Sequence, residues 1–126
     1  MGTAMAELSV KDMLCNYSKQ GGFDFAFIAD QSGLLMVCTA SNMVVLETQA
    51  AVLARIKNTV AMVDEKKGLG SIEEMVFNVS GKKKLICRNF CINKNQLILA
   101  VSMESHLPYK RLTGSFIRQL QSTWEI

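Results

Sequence analysis

Apolar residues recur along the chain with periods that change from helical to extended and back. Val10, Met13, Leu14 and Tyr17 stand at i, i+3, i+4 and i+7, the spacing of an amphipathic helix. Ser9 and Asp12 have the form of a capping start, and Gly21-Gly22 closes the segment. Residues 23–30 (FDFAFIAD) alternate, with Phe23, Phe25 and Phe27 on one side, and 34–40 (LLMVCTA) are a continuous apolar run. Asp30-Gln31-Ser32-Gly33 between them reads as a turn, so the two runs predict a hairpin in a sheet covered on both faces. Residues 46–66 carry the strongest helical signal. Leu46, Val52, Leu53, Ile56, Val60 and Val63 share one stripe; Ala50, Ala51, Ala54, Asn58 and Ala61 share another. One stripe is expected to face the core. The other is small and weakly polar, which suits close approach by a second helix or, alternatively, a solvated face rich in a good helix former.

Three further strands follow. Residues 72–80 (IEEMVFNVS) place Met75, Phe77 and Val79 on one side, 84–92 (KLICRNFCI) pair back, and 96–102 (QLILAVS) come after a tight turn at Asn93-Lys94-Asn95. Leu112, Phe116, Ile117, Leu120 and Trp124 then predict a helix over about 109–124, with Pro108 at its start. The expected fold is α+β, in the order α-β-β-α-β-β-β-α. Its five strands are mostly antiparallel, with helices on both faces.

Composition narrows the class. The chain has 126 residues, 49% hydrophobic and 20% charged, with a net charge of +3. That length fits one domain over 1–126, and the apolar content excludes a disordered chain. No run reaches the ~18 residues of a membrane span, and so small a charge does not argue for nucleic acid. No basic-then-apolar leader opens the sequence, so a cytoplasmic location is expected. Residues 1–63 carry a net −1 and residues 64–126 a net +4, much of it from Lys82, Lys83 and Lys84 at an expected hairpin tip. Cys87 and Cys91, four apart in a strand, would lie about 13 Å apart, beyond the ~7 Å of a disulfide, so free thiols are expected. With His106 the only histidine and no C-x-x-C, no metal site is expected. No P-loop is present, Gly68-Leu69-Gly70 is too short for a dinucleotide fingerprint, and His106 has no motif to orient it. No cofactor and no catalytic residue are therefore expected. Arg88, mid-strand among Ile86, Phe90 and Ile92, is read as a rim residue or as an arginine offered to a partner.

The stretch Gly22–Cys38 (GFDFAFIADQSGLLMVC) resembles the first hairpin of the roadblock dynein light-chain family: a small residue in mid-strand, Ala26, then Asp-x-x-Gly and an apolar second strand. The long helix, three-strand meander and last helix match in order and spacing over roughly residues 5–124. His106-Leu107-Pro108 departs from the family's usual approach to the last helix. The resemblance implies a non-catalytic scaffold that forms homo- or heterodimers through its central helices and third strands. Carried over, Ala50, Ala54, Asn58 and Ala61 would lie on the helix seam, and Met75, Phe77 and Val79 on the joining strand. It also implies a small Ras-like GTPase as partner; Arg55, Lys57, Lys66 and Lys67, basic residues on and after the central helix, are the candidate contacts. The alternatives are a structural light chain of a motor or signalling complex, or a PAS- or GAF-like sensor. The filled strand interiors argue against the sensor, and the opening helix argues against a longin-type chain.

Overall fold

A computed structural model describes residues 3–39, 43–67 and 73–124, with side chains at 10–39, 44–62 and 73–124. The elements are α1 (Thr3–Gly21), β1 (Phe25–Asp30), β2 (Leu35–Cys38), α2 (Met43–Lys67), β3 (Glu74–Val79), β4 (Lys83–Ile92), β5 (Asn95–Glu104) and α3 (Lys110–Thr123). The order is the expected one. The five strands form a single antiparallel sheet, ordered β2-β1-β5-β4-β3. The first helix begins at Thr3 and not at Ser9, because Ala4, Met5, Ala6, Glu7 and Leu8 are all good helix formers and nothing among them stops it.

The central strands explain the continuous apolar runs. Ala26–Ala29 of β1 and Leu97–Val101 of β5 are buried at every position, as strands must be when both faces are covered. On one face Ala26, Ile28, Ile86, Phe90, Leu97, Leu99, Val101 and Met103 pack under α1 (Val10, Leu14) and α3 (Phe116, Ile117, Leu120), with Trp124 just beyond. On the other face Phe27, Ala29, Cys38, Cys87, Ile98 and Ala100 pack under α2 through Leu46, Ala50, Leu53 and Ala54.

This face of α2 corrects the expected seam. Ala50 and Ala54 are 0% and 2% exposed and lie against the sheet of their own chain, so they cannot line a helix seam with another. The cause is the β1–β2 turn. Gly33 has φ +95°, and a Cβ there would stand 2.8 Å from Ala51 Cα and 3.3 Å from Ala54 Cβ. A helix pressed this close onto a turn needs alanine at the contact. The buried set Leu46, Ala50, Leu53, Ala54 therefore draws from both sequence stripes, while Val52 from the larger stripe is 49% exposed.

Arg88 is a tie within the chain. From β4 its Nη1 donates to the carbonyl of Lys110 (3.2 Å) and to Thr113 Oγ1 (2.9 Å), fastening the first turn of α3 to the sheet. Glu74 of β3 accepts a hydrogen bond from the Tyr109 hydroxyl, which joins the edge strand to the residue preceding α3. That bond pushes the Tyr109 phenol above its ordinary pKa, with burial and the Glu74 charge adding to it.

Candidate interaction surface

The sheet is wider than the helix that covers one of its faces. α2 sits over β1 and β2, and leaves a strip of apolar surface beside it toward β3. Val52, Leu53 and Ile56 of α2, with Thr48 and Gln49, line one wall of a groove of about 260 Å³; Phe77 of β3 and Leu85 of β4, opposed in register, line the other. Val45, Val52 and Met62 of α2 are 48%, 49% and 61% exposed, and Val79 of β3 is 50% exposed. Gln49 Oε1 is buried with no hydrogen-bond donor in reach. Among the described residues β3 pairs only with β4, so its outer edge carries free backbone donors and acceptors.

The residues named from the sequence fall into three groups. Met75 and Phe77 are half-buried on the α2 side of β3, and Val79 continues their line into solvent. Asn58 and Ala61 are exposed on α2, while Ala50 and Ala54 are inside. Arg55 is exposed. Lys57 leans on the sheet, with Nζ 3.5 Å from Gln96 Oε1; burial lowers its pKa, and the neighbouring Cys91 opposes that shift. The side chains of Lys66 and Lys67 lie outside the described residues. Thr48, Gln49 and Leu85 were not picked out from the sequence. Thr48 and Gln49 read as ordinary solvated helix positions, and Leu85 joins the strip only through its pairing with Phe77.

The basic run at the β3–β4 hairpin is less solvated than a charge run suggests. Lys83 forms an ion pair with Asp24 at 2.9 Å. Lys84 donates to the Leu107 carbonyl at 2.7 Å and lies 4.9 Å over the Tyr109 ring. Only Lys82, at φ +62°, extends from the tip. His106 is a surface residue 3.6 Å from the Glu104 carboxylate. No disulfide joins the four cysteines, all of which lie among the described residues; Cys38 and Cys87 are buried and Cys91 is exposed. Burial pushes the Cys87 thiol up to about 12. Among the described residues no group of His, Cys, Asp or Glu is placed to hold a metal ion, and no helix is long and apolar enough to cross a membrane.

No family model matches the chain, and no curated protein matches it. Solved structures do. MglB of Myxococcus xanthus superposes with a TM-score of 0.78 at 11% identity, over 92% of this chain and 87% of its own. An MglB with a tetrameric arrangement superposes at 0.76 and 14% identity, over 94% and 89%. A roadblock/LC7 domain from Streptomyces avermitilis superposes at 0.73 and 13% identity, over 89% and 91%. Identity this low speaks for the fold alone, but the superposition spans nearly the whole of both chains. The eight elements and the antiparallel sheet are therefore those of the roadblock/LC7 fold.

Proposed function

We propose that the chain is a non-catalytic, dimeric adaptor that binds a small Ras-like GTPase and biases its nucleotide state. One observation carries the reading: in a fold shared with MglB, one side of α2 and Phe77 and Leu85 of the sheet line an apolar groove beside the unpaired edge of β3. A second roadblock-like chain, identical or different, would cover that surface. Val45, Val52, Met75, Phe77 and Val79 would then be buried, with Asn58 and Ala61 at the rim, and the two β3 edges would pair. The buried acceptor of Gln49 would meet a donor from the partner, which removes the cost of leaving it unpaired.

The regulatory step is a population shift. A dimer that binds one nucleotide state more tightly moves its partner toward that state by no more than the difference in affinity. Arg55 and Lys57, with Lys66 and Lys67 further along α2, are the proposed contacts to the GTPase. Cysteines without a disulfide among them fit a reducing compartment, and a cytoplasmic location goes with this reading.

Two measurements test the reading. Light scattering should give twice the chain mass. Capture from the source cell's lysate, loaded in parallel with GDP or a non-hydrolysable GTP analogue, should recover a Ras-like GTPase preferentially in one state. A monomer that also captures no second roadblock-like chain would remove the seam. Equal recovery in both states, or recovery of only a motor subunit or a second roadblock-like chain, would replace regulation with a structural scaffold.

A further inference from the structure

A second groove lies at the end of the molecule where α1 finishes and α3 begins, well apart from the α2–β3 strip. It has a volume of about 420 Å³, and its walls include Gly21 of α1 and Leu107, Pro108, Tyr109, Arg111 and Leu112. That is the size of site that holds a small ligand or a few side chains. The groove is built in. A Cβ on Gly21 would stand 2.4 Å from the Phe23 ring and 2.8 Å from Leu112, so glycine lets the end of α1 close onto α3. The loop along its rim is held by Lys84 on the Leu107 carbonyl and by Tyr109 on Glu74.

The charge around this groove is one-sided. Lys19, Lys82, Lys83, Lys84, Lys110 and Arg111 stand at this end of the elements, against the carboxylates of Asp24 and Glu104. Glu74 and Arg88, deeper along the sheet, cancel each other. Asp24 is already paired with Lys83. Lys110, Arg111 and Lys19 are exposed, and none has a carboxylate among the described ion pairs. The first turn of α3 also carries two cations and no acid, the reverse of what its dipole favours. Cations thus outnumber carboxylates at the end of the fold where this groove opens, with Arg111 in its wall and Lys110 and Lys19 next in sequence to the lining residues Arg111 and Gln20.

We propose that this groove docks an acidic peptide segment of a partner protein, with an apolar side chain seated against Leu107, Pro108 and Leu112 and flanking carboxylates on Lys110, Arg111 and Lys19. Charge complementarity selects an anionic partner, and the concave apolar floor selects a side chain. A membrane would meet a protruding apolar element or a flat basic face, whereas this apolar surface is concave. The proposal does not depend on the GTPase reading, since it uses neither α2 nor β3's free edge.

The test is fluorescence polarisation of the full-length protein with a labelled, amidated peptide of sequence DELFDE. A DESSDE peptide of equal charge serves as comparison. The acidic apolar peptide should bind, and raising the salt should weaken it. The double variant Lys110→Glu/Arg111→Glu should weaken binding by about tenfold or more. That variant is expected to fold, because it places acids in the first turn of α3, where the dipole favours them. Lys94→Glu, at the opposite end of the sheet, should change binding by less than about twofold, as expected for a distant charge in salt. DESSDE should bind about fivefold or more weakly, through loss of apolar burial. Equal binding of the two peptides, an equal loss in Lys94→Glu, or no binding of DELFDE would overturn the proposal. So would binding of phosphatidylserine vesicles that depends on Lys110 and Arg111 in the absence of peptide binding, which would assign the surface to lipid.

Discussion

Asp30 closes the β1–β2 connection by itself. Its Oδ1 accepts from the Ser32 amide (2.9 Å), the Ser32 hydroxyl (2.6 Å) and the Leu34 amide (3.0 Å). Burial alone would raise its pKa, but the bonds from Ser32, Leu34 and Gly33 together hold it below the ordinary 3.8. A carboxylate depressed in the folded state contributes stability above its unfolded pKa and loses it as pH falls through the lower, folded value. Asp30→Ala should therefore cost about 1 kcal/mol at pH 7. In urea titrations the difference from the unmodified protein should shrink below pH 3.8. The cysteines give a second check at this scale. With its thiol buried and raised to about 12, Cys87 should resist iodoacetamide at pH 8 in the folded protein, while exposed Cys91 is alkylated. Peptide mapping before and after denaturation reads both. The turn role of Asp30 was legible because it depends on local chemistry. The roles of Arg88, Lys83 and Lys84 were not, since their partners Thr113, Asp24 and Leu107 are between 23 and 59 residues away in the chain.

At the scale of elements, α2 is the instructive case. Periodicity found the helix and its two stripes; the resemblance then put Ala50 and Ala54 on the outside, where their burial rules them out. A hydrophobic count favours the stripe with Val52 and Ile56 as core, yet the helix approaches Gly33 so closely that it is Ala50, Ala51 and Ala54 that stand at the contact. Two substitutions separate the assignments. Ala54→Glu buries an unpaired charge and should cost at least about 3 kcal/mol or abolish folding. Val52→Glu should leave the chain's own stability within about 0.5 kcal/mol. It should also turn a dimer into a monomer. Circular dichroism on melting, with light scattering on the same samples, distinguishes the two. The start of α1 at Thr3 was missed for a related reason: a capping signature at Ser9 states a preference, and a run of good helix formers before it overrides that preference.

At the scale of the molecule, the two candidate surfaces differ in kind. The α2–β3 strip is apolar, so dimerisation should be little changed between low salt and about 0.5 M NaCl. Light scattering at both salt levels checks this. Binding at the α1–α3 groove should fall over the same range, because its cations are exposed and screened. The charge asymmetry between the halves of the chain was visible in sequence, but its focus was not. Gly21 and Arg111 line one groove only because the end of α1 and the start of α3 fold to the same end of the sheet.

The sequence by itself determined the number, kind and order of the elements, the hairpins and their turns. Each depends on periodicity, turn chemistry and propensity within a few neighbouring residues. It also carried the resemblance to roadblock proteins, through one hairpin and the spacing of the later helices and strands. Tertiary structure alone decided which face of α2 is inside, which lysines are free, and where apolar surface is left over. Those outcomes turn on close approach between distant segments, such as Gly33 against Ala51 and Ala54, or Gly21 against Leu112. A pattern along one chain cannot express a distance across the fold.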